Sequence, residues 1–276
     1  MKKNCLSCNS KKLNKLFFLK KFPILFGAIP LKIHKTVGRY PIEISTCKVC
    51  GLVQQSKIPS QRLIDEIYTA EYYSCGSPLT SGMGIREIEK FLTFFKKCKN
   101  KPKKLLEIAC FDGYALKKIS NLGWDVYGCD PSPMVKIAKK NLGNKRIKKV
   151  FFSQKTYANQ KFDAIVFRNL LEHITDLNGF LKDVYKSLNF EGKIFIDVPN
   201  IKEIAKFGGL GLFFHQHISY FSIETLKYLL KRNNFKITKY YEGNPNIFLE
   251  AKKDNYINEK KIKNKLIRKK YINKNY

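Results

Sequence analysis

The sequence predicts an α/β protein: a doubly wound, mostly parallel sheet flanked by helices, with a small N-terminal module in front of it. Three observations predict it. From Lys104 onward, short apolar runs alternate with amphipathic stretches. The first run ends in a turn that contains the small residues Ala109 and Gly113. Ahead of these, two C-x2-C pairs bracket the first fifty residues.

Residues 1–60 read as short strands and turns around the cysteine pairs. Residues 61–73 (QRLIDEIYTAEYY) place Leu63, Ile64, Ile67 and Tyr68 on one helical face. A loop rich in Gly, Ser and Pro is expected from Ser74 to Gly84. Ile85–Cys98 repeats apolar residues at helical spacing, and Lys99–Lys104 is a polar linker. Residues 61–103 therefore read as a helical connector that contributes to the active site.

The alternating part spans 104–252. Strands are expected at Leu105–Cys110, Asp125–Asp130, Val150–Ser153, Phe162–Asn169 and Gly192–Pro199. Helices are expected at Tyr114–Leu122, Pro133–Leu142, Leu177–Leu188 and Thr225–Asn233. Pro133 suits a first helical turn, where its missing amide costs nothing. FKITKYYE and NIFLEAKK read as a closing antiparallel pair. Residues 253–276 are a basic tail rich in Lys and Asn.

The chain carries 53 Lys and Arg against 22 Asp and Glu, a net charge of +31. Such a surface attracts anions, whether nucleic acid, membrane or a nucleotide-linked small molecule. Lysine far outnumbers arginine and is spread along the chain, which argues against a nucleic-acid partner. The charge then reflects composition, with a share available to capture a phosphorylated substrate. The start, Lys2-Lys3 followed by Asn4-Cys5, has no apolar signal region. The apolar stretch near Phe22–Ile33 is short and broken by Pro23 and Pro30, so no membrane insertion is expected. These features predict a cytoplasmic protein.

Cys5, Cys8, Cys47 and Cys50 supply four thiolates, the set that closes a tetrahedral structural zinc site. Two residues between partners let one tight turn aim both sulfurs at the ion. Gly51 follows the second pair, where a permissive backbone is useful. Four thiolates leave no open position, so the metal is assigned to structure.

In a doubly wound sheet, ligands bind beyond the carboxyl ends of the strands. Glu107, Ala109, Asp112 and Gly113 lie at the first such end, in EIACFDG. Asp130 ends the second strand, in YGCDPS, about 20 residues after the first turn, an offset that suits a carboxylate accepting both ribose hydroxyls. Together these features predict nucleoside binding. An NAD-binding domain is the competing reading, but the first turn lacks a full G-x-G-x-x-G.

EIACFDG resembles the first motif, E-[IV]-G-x-x-x-G, of class I S-adenosylmethionine-dependent methyltransferases, which have a Rossmann-like sheet; Ala109 replaces the usual glycine. The resemblance extends through CDPS, FDAIVFRNLLEHITD and LNFEGKIFIDVP, covering residues 104–200. It implies Asp112 near the methionine moiety, Asp130 and neighbouring Pro131 at the ribose, and Ser153 or Gln154 near adenine. Arg168, Asn169 and Leu170 would line the donor pocket beside Glu107, Ala109 and Gly113.

The cysteine module, YTAEYY and HQHISYFS together resemble the zinc-containing sugar-nucleotide C-methyltransferases. That family's Y-H-E-H-x-x-Y-[FY]-S signature reads Phe214-His215-Gln216-His217-Ile218-Ser219-Tyr220-Phe221-Ser222 here. Typical members continue into a further C-terminal domain, so this chain resembles a short version. The resemblance implies an acceptor that is a nucleotide-activated sugar or a related capsule or lipopolysaccharide precursor. An imidazole can take the acceptor's proton near neutral pH. His217 is the expected base, with His173 as helper and His215, Tyr220 and Tyr73 as further candidates. Phe214 and Gln216 cannot act as acid or base, so O-methylation stands beside C-methylation. An RNA or protein methyltransferase is the alternative. The acceptor and the oligomeric state are not legible.

Overall fold

The computed structural model describes residues 4–24, 38–58, 60, 62, 76–98, 101, 103–206, 208 and 212–254. All of the helix expected at 61–73 except Arg62, with Tyr73 in it, and the tail beyond Asp254 lie outside these residues.

Three N-terminal strands come first: β1 (Leu13–Pro23), β2 (Arg39–Cys47) and β3 (Val53–Gln55). β1 is eleven residues long, more extended than the short strands the sequence suggests. All three run antiparallel, and β3 pairs on its far side with β9 (Ser219–Tyr220). The sheet order is β1-β2-β3-β9. Its fourth strand therefore comes from a segment more than 160 residues downstream.

The larger sheet contains β4 (Lys104–Ile108), β5 (Asp125–Cys129), β6 (Ile147–Lys148), β7 (Phe162–Arg168), β8 (Leu188–Pro199), β10 (Phe235–Glu242) and β11 (Asn246–Lys253). Its order is β10-β11-β8-β7-β4-β5-β6. The five strands from β8 to β6 are parallel, and β10 and β11 close the other edge antiparallel. The order reverses at β4, which places a ligand crevice beyond its carboxyl end.

Helices cover both faces: α1 (Pro78–Ser81), α2 (Ile85–Lys97), α3 (Tyr114–Ser120), α4 (Val135–Leu142), α5 (Leu177–Ser187), α6 (Ile201–Lys206) and α7 (Ile223–Arg232). Successive strand residues point to opposite faces. Leu105, Val126, Ala164, Val166 and Phe195 pack with Phe91, Phe95 and Leu116 of α2 and α3. Leu106, Ile108, Ile165, Phe167, Ile194 and Ile196 pack with Leu177, Leu181, Leu226 and Leu229 of α5 and α7. Each fully buried Phe or Leu contributes roughly 1.5–3 kcal/mol. Cys5, Cys47 and Leu52 belong to the second of these cores, so the N-terminal sheet and the larger one share apolar packing.

Several expectations need correction. The third strand is Ile147–Lys148, not Val150–Ser153. Val150 donates to Asp130 O there, the chain leaves the sheet, and Val150 and Phe151 are exposed. A run of apolar letters does not make a strand where no neighbour offers pairing. The expected loop at Ser74–Gly84 contains α1, because Pro78 opens a turn that Ser77 and Thr80 cap and Gly82 closes in a left-handed conformation. β8 begins at Leu188, directly after α5, not at Gly192. Helix α6 and strand β9 were not expected; each is six residues or shorter, too brief to show a period. Helix α7 starts at Ile223, two residues early, because Ser222 and Thr225 form a capping box.

Candidate active site

The donor side is built at the carboxyl ends of β4 and β5. After Ile108 the chain turns through Ala109 (φ 59°), Phe111 (φ 50°) and Gly113 (φ 80°), all left-handed. Gly113 is required twice over: its φ favours glycine, and a Cβ there would lie 2.9 Å from the Cβ of Ala138 in α4. The folded turn presents two amides to Asp130. Phe111 N donates to one oxygen at 3.0 Å and Ser132 N to the other at 2.8 Å. Each oxygen keeps a lone pair, so the carboxylate is positioned to accept two further hydroxyls. Burial pushes its pKa up against these bonds.

Asp112 accepts from Tyr114 N at 3.0 Å and from Leu79 N at 2.8 Å. The second bond ties α1 over the turn. Glu107 is fully buried on β4 and accepts from Arg168 Nε and Nη2 at 3.0 and 2.8 Å. Burial still pushes its pKa up, and the charges of Asp112 and Asp130 add to that. Asp197 on β8 is buried near Arg168 and is pushed by desolvation up to about 7. Among the described residues, three carboxyls, Glu107, Asp130 and Asp197, are held here with raised pKa values beside the Arg168 guanidinium, and a cationic ligand would favour their ionised forms.

The other expected donor residues spread around this centre. Pro131 follows Asp130 and is half-buried. Ser153 and Gln154 lie in the loop after β6, their amides donating to Thr156 Oγ1 and Asp183 Oδ2. Asn169 is exposed and left-handed, and its amide donates to Asp197 O. Leu170 is half-buried against the core.

On the acceptor side, a short 3-10 turn (Leu171–His173) follows β7. Its Glu172 carbonyl accepts from Ile218 N, which brings the 214–218 segment beside it. His173 Nδ1 donates to Gln216 O at 2.8 Å and His217 Nδ1 to Leu212 O at 3.1 Å. Both acceptors are carbonyls, so the ring nitrogens must be the donors. The two imidazoles meet edge to face at 4.9 Å. Desolvation pulls His173 down to about 4 and His217 well below its ordinary value. His215 points elsewhere: its Nδ1 donates to Pro23 O and its ring packs on Phe22 and Tyr40. Tyr220 is buried with Ile42 and Ile44. The structure therefore brings two of the three expected histidines together.

The four paired cysteines converge. Their sulfurs all lie within 4.8 Å of one another, with Cys5–Cys50 at 3.4 Å and Cys8–Cys47 at 3.5 Å. Tetrahedral thiolates at about 2.3 Å from zinc stand roughly 3.8 Å apart, so the donor set fits that ion. Burial opposes ionisation of Cys47, but the Cys50 and Val49 amides and neighbouring thiols outweigh it and draw the group down to about 7. Burial pushes Cys50 up to about 11.

A family profile described as a methyltransferase domain matches residues 83–240, more than half of the chain. The chain belongs to this family. Residues 83–240 are a methyltransferase domain. Among curated proteins, the chain is similar to the ubiquinone biosynthesis O-methyltransferase of Pelagibacter ubique, at 32% identity over 101 residues, covering 35% of this chain and 42% of that protein. It is similar to the mitochondrial enzyme of that name from Rattus norvegicus at 29% over 125 residues, 42% of this chain and 36% of the relative. The chain thus spans about two fifths of these relatives. Solved structures share the fold. The PH0226 protein of Pyrococcus horikoshii OT3 matches with TM-score 0.53 at 19% identity, over 68% of this chain and 95% of that one. Magnesium protoporphyrin IX methyltransferase of Synechocystis PCC 6803, solved with bound SAH, matches with TM-score 0.53 at 13% identity, over 70% and 100%.

Several further residues join these sites through contacts that no local sequence pattern marks. Gln55 on β3 donates to Phe214 O and His217 O at 2.9 and 2.7 Å. Gln54 beside it accepts from Leu6 N, and Asn178 of α5 donates to Leu6 O and Ser7 O, both holding the first cysteine knuckle. Asn246 donates to Asp197 at 2.6 Å. Isolated amides in strands or at helix starts carry no sequence signature. Glu172 does carry one, as the residue before His173 in LEH. Among the described residues no helix is long and apolar enough to cross a membrane.

Proposed function

We propose that this methyltransferase moves the donor's methyl group to an oxygen of a nucleotide-activated sugar or a related cell-surface glycan precursor, with His217 as the proton acceptor. The observation that carries the reading is the tie between the cysteine-bearing sheet and the histidine segment. Gln55 Nε2 bonds both Phe214 O and His217 O, and β3 pairs with β9. A four-cysteine module is thus bonded directly to the histidine segment, which is the combination the sugar-nucleotide resemblance implies.

When bound, S-adenosylmethionine supplies an electrophilic methyl group. Asp130 would accept its ribose hydroxyls, and Asp112 and Glu107 would face its cationic end. The amides at Phe111 and Ser132 hold Asp130 in place. His217 keeps its Nε2 lone pair, because Nδ1 is committed to Leu212 O. Phe214 packs on the His217 ring at 4.1 Å and shields it from water. Gln216 is buried, and its carbonyl accepts from His173, so this position orients an imidazole and moves no proton. Imidazole alone suits a hydroxyl acceptor better than a carbon acid, which supports oxygen as the target. The curated relatives' names, which specify O-methylation, agree with that choice. We further propose that zinc fills the four-thiolate site as a structural ion in a module spanning residues 1–60, and that the protein works in the cytoplasm.

The test is incubation of zinc-loaded protein with methyl-labelled donor and separate pools of nucleotide sugars, phenolic quinone precursors and RNA. Label in the nucleotide-sugar pool, lost in His217→Ala, is the expected result. Label only in the phenolic pool or only in RNA overturns the acceptor assignment.

A further inference from the structure

Glu172 is 1% exposed, yet neither of its carboxyl oxygens has a hydrogen-bond partner among the described residues. Its Oε1 lies 3.8 Å from His173 Nε2. One carboxyl oxygen of Glu172 and one ring nitrogen each of His173 and His217 all lie within 4.8 Å of one another. A buried carboxyl with no donor is costly and needs a compensating function. The groups in reach are imidazoles, and His217 already spends its Nδ1 proton on Leu212 O.

We infer that Glu172 is a positioning residue whose carboxylate supplies the buried counter-charge for a proton held by the His173–His217 pair. The inference rests on the reading of His217 as base and deepens it. During transfer, the acceptor O–H bond breaks and its proton goes to His217 Nε2. The oxygen's electron pair forms the new O–CH3 bond, and the S–CH3 pair stays on sulfur. An imidazolium then stands where water cannot solvate it. Burial makes both imidazoles poor bases, and His173 adds to that at His217. Burial also pushes the Glu172 carboxyl up, so it ionises only together with the uptake of a proton by a neighbouring imidazole, when an opposite charge offsets the penalty. The three groups titrate as a unit. Among the described residues, the other titratable groups facing them are Asp197, whose charge adds to burial in opposing ionisation of Glu172, and Tyr220, whose ring lies 6.3 Å from His217.

Because the acceptor is unidentified, the test reads the imidazoles directly. The full chain, metal-loaded and saturated with S-adenosylhomocysteine, is labelled with 15N-histidine and followed by NMR from pH 4 to 9. His217 should show the Nδ1–H tautomer. In Glu172→Gln the titration midpoint of the pair should fall by about one pH unit or more, a tenfold loss of imidazolium. Glu172→Asp should recover part of it, and S-adenosylhomocysteine affinity should be unchanged in both. An unchanged midpoint in a folded Glu172→Gln overturns the inference, as does a wild-type pair that never takes up a proton above pH 4. A second bound divalent metal, present in wild type and lost in Glu172→Gln, overturns it in favour of a metal site. Should Glu172→Gln fail to fold, Glu172→Asp carries the comparison. Activity retained by His217→Ala would sink the base assignment alone, leaving the Glu172 titration as measured.

Discussion

Gln54 and Gln55 stand side by side on β3, and one holds the first cysteine knuckle while the other holds the histidine segment. Gln54 Oε1 accepts from Leu6 N at 2.8 Å; Gln55 Nε2 donates to Phe214 O and His217 O. Two residues of one strand therefore link the thiolate cluster to the imidazole pair. Replacing Gln55 with Leu removes the donor from the buried His217 carbonyl, at a cost of about 1–3 kcal/mol, while Phe214 O keeps the His217 amide at 3.0 Å. The expected outcome is a drop in Tm together with slower methyl transfer and an unchanged donor Kd, read by calorimetry and by turnover.

Metal removal should act through the same link. The protein should hold one zinc per chain by elemental analysis, and Cys47→Ser should lose it. Chelation should lower Tm and shift the His217 NMR signals, although no thiolate touches that ring. Unmoved histidine signals after full removal of the metal would break the proposed coupling.

Asp130 governs donor affinity. Hydrogen bonds to a charged group contribute about 1.5–3 kcal/mol each, so Asp130→Ala should weaken S-adenosylhomocysteine binding by roughly 10²-fold or more. Asp130→Asn should not restore it, because an amide NH2 would face the amide of Phe111 or Ser132. Titration calorimetry on folded protein distinguishes these outcomes.

Gly113→Ala tests the close approach of turn and helix. The added methyl meets Ala138 at 2.9 Å in a left-handed conformation, so destabilisation of about 1–3 kcal/mol is expected in urea unfolding.

Asp197 makes stability depend on pH. Its folded pKa of about 7 exceeds its ordinary 3.8, so the folded state holds the proton more tightly. That contribution is complete below about pH 4 and is lost as pH rises toward and through 7. Asp197→Asn keeps the bond from Asn246 and removes the titration, so its stability relative to wild type should be higher at pH 8 than at pH 4.5. Equal differences at both values would contradict the assignment.

The parallel sheet was legible because β4, β5, β7 and β8 are buried runs between amphipathic helices, and burial of both faces leaves that mark in sequence. Asp130 was legible for the same reason, since it ends such a run. The four cysteines were legible from spacing alone. The strand at Val150–Ser153 was misread because pairing depends on a neighbour that letters do not name. Proximity in sequence groups His215 with His217, yet residues two apart in a turn face different neighbours, here Pro23 and Leu212. Gln55, Glu172 and the Leu79 amide act through long-range contacts, which one sequence does not encode locally.

The pairing of Val53 with Tyr220 bears on how the chain is made. As translation proceeds, the first sixty residues emerge with β3 exposing an unsatisfied edge, and its partner is synthesised only 167 residues later. Until then the cysteines can gather an ion, but the sheet around them stays open. A nascent chain not yet extended to Tyr220 would thus present a sticky strand to chaperones or to its siblings, and completion of the cysteine-bearing sheet must await that distant segment.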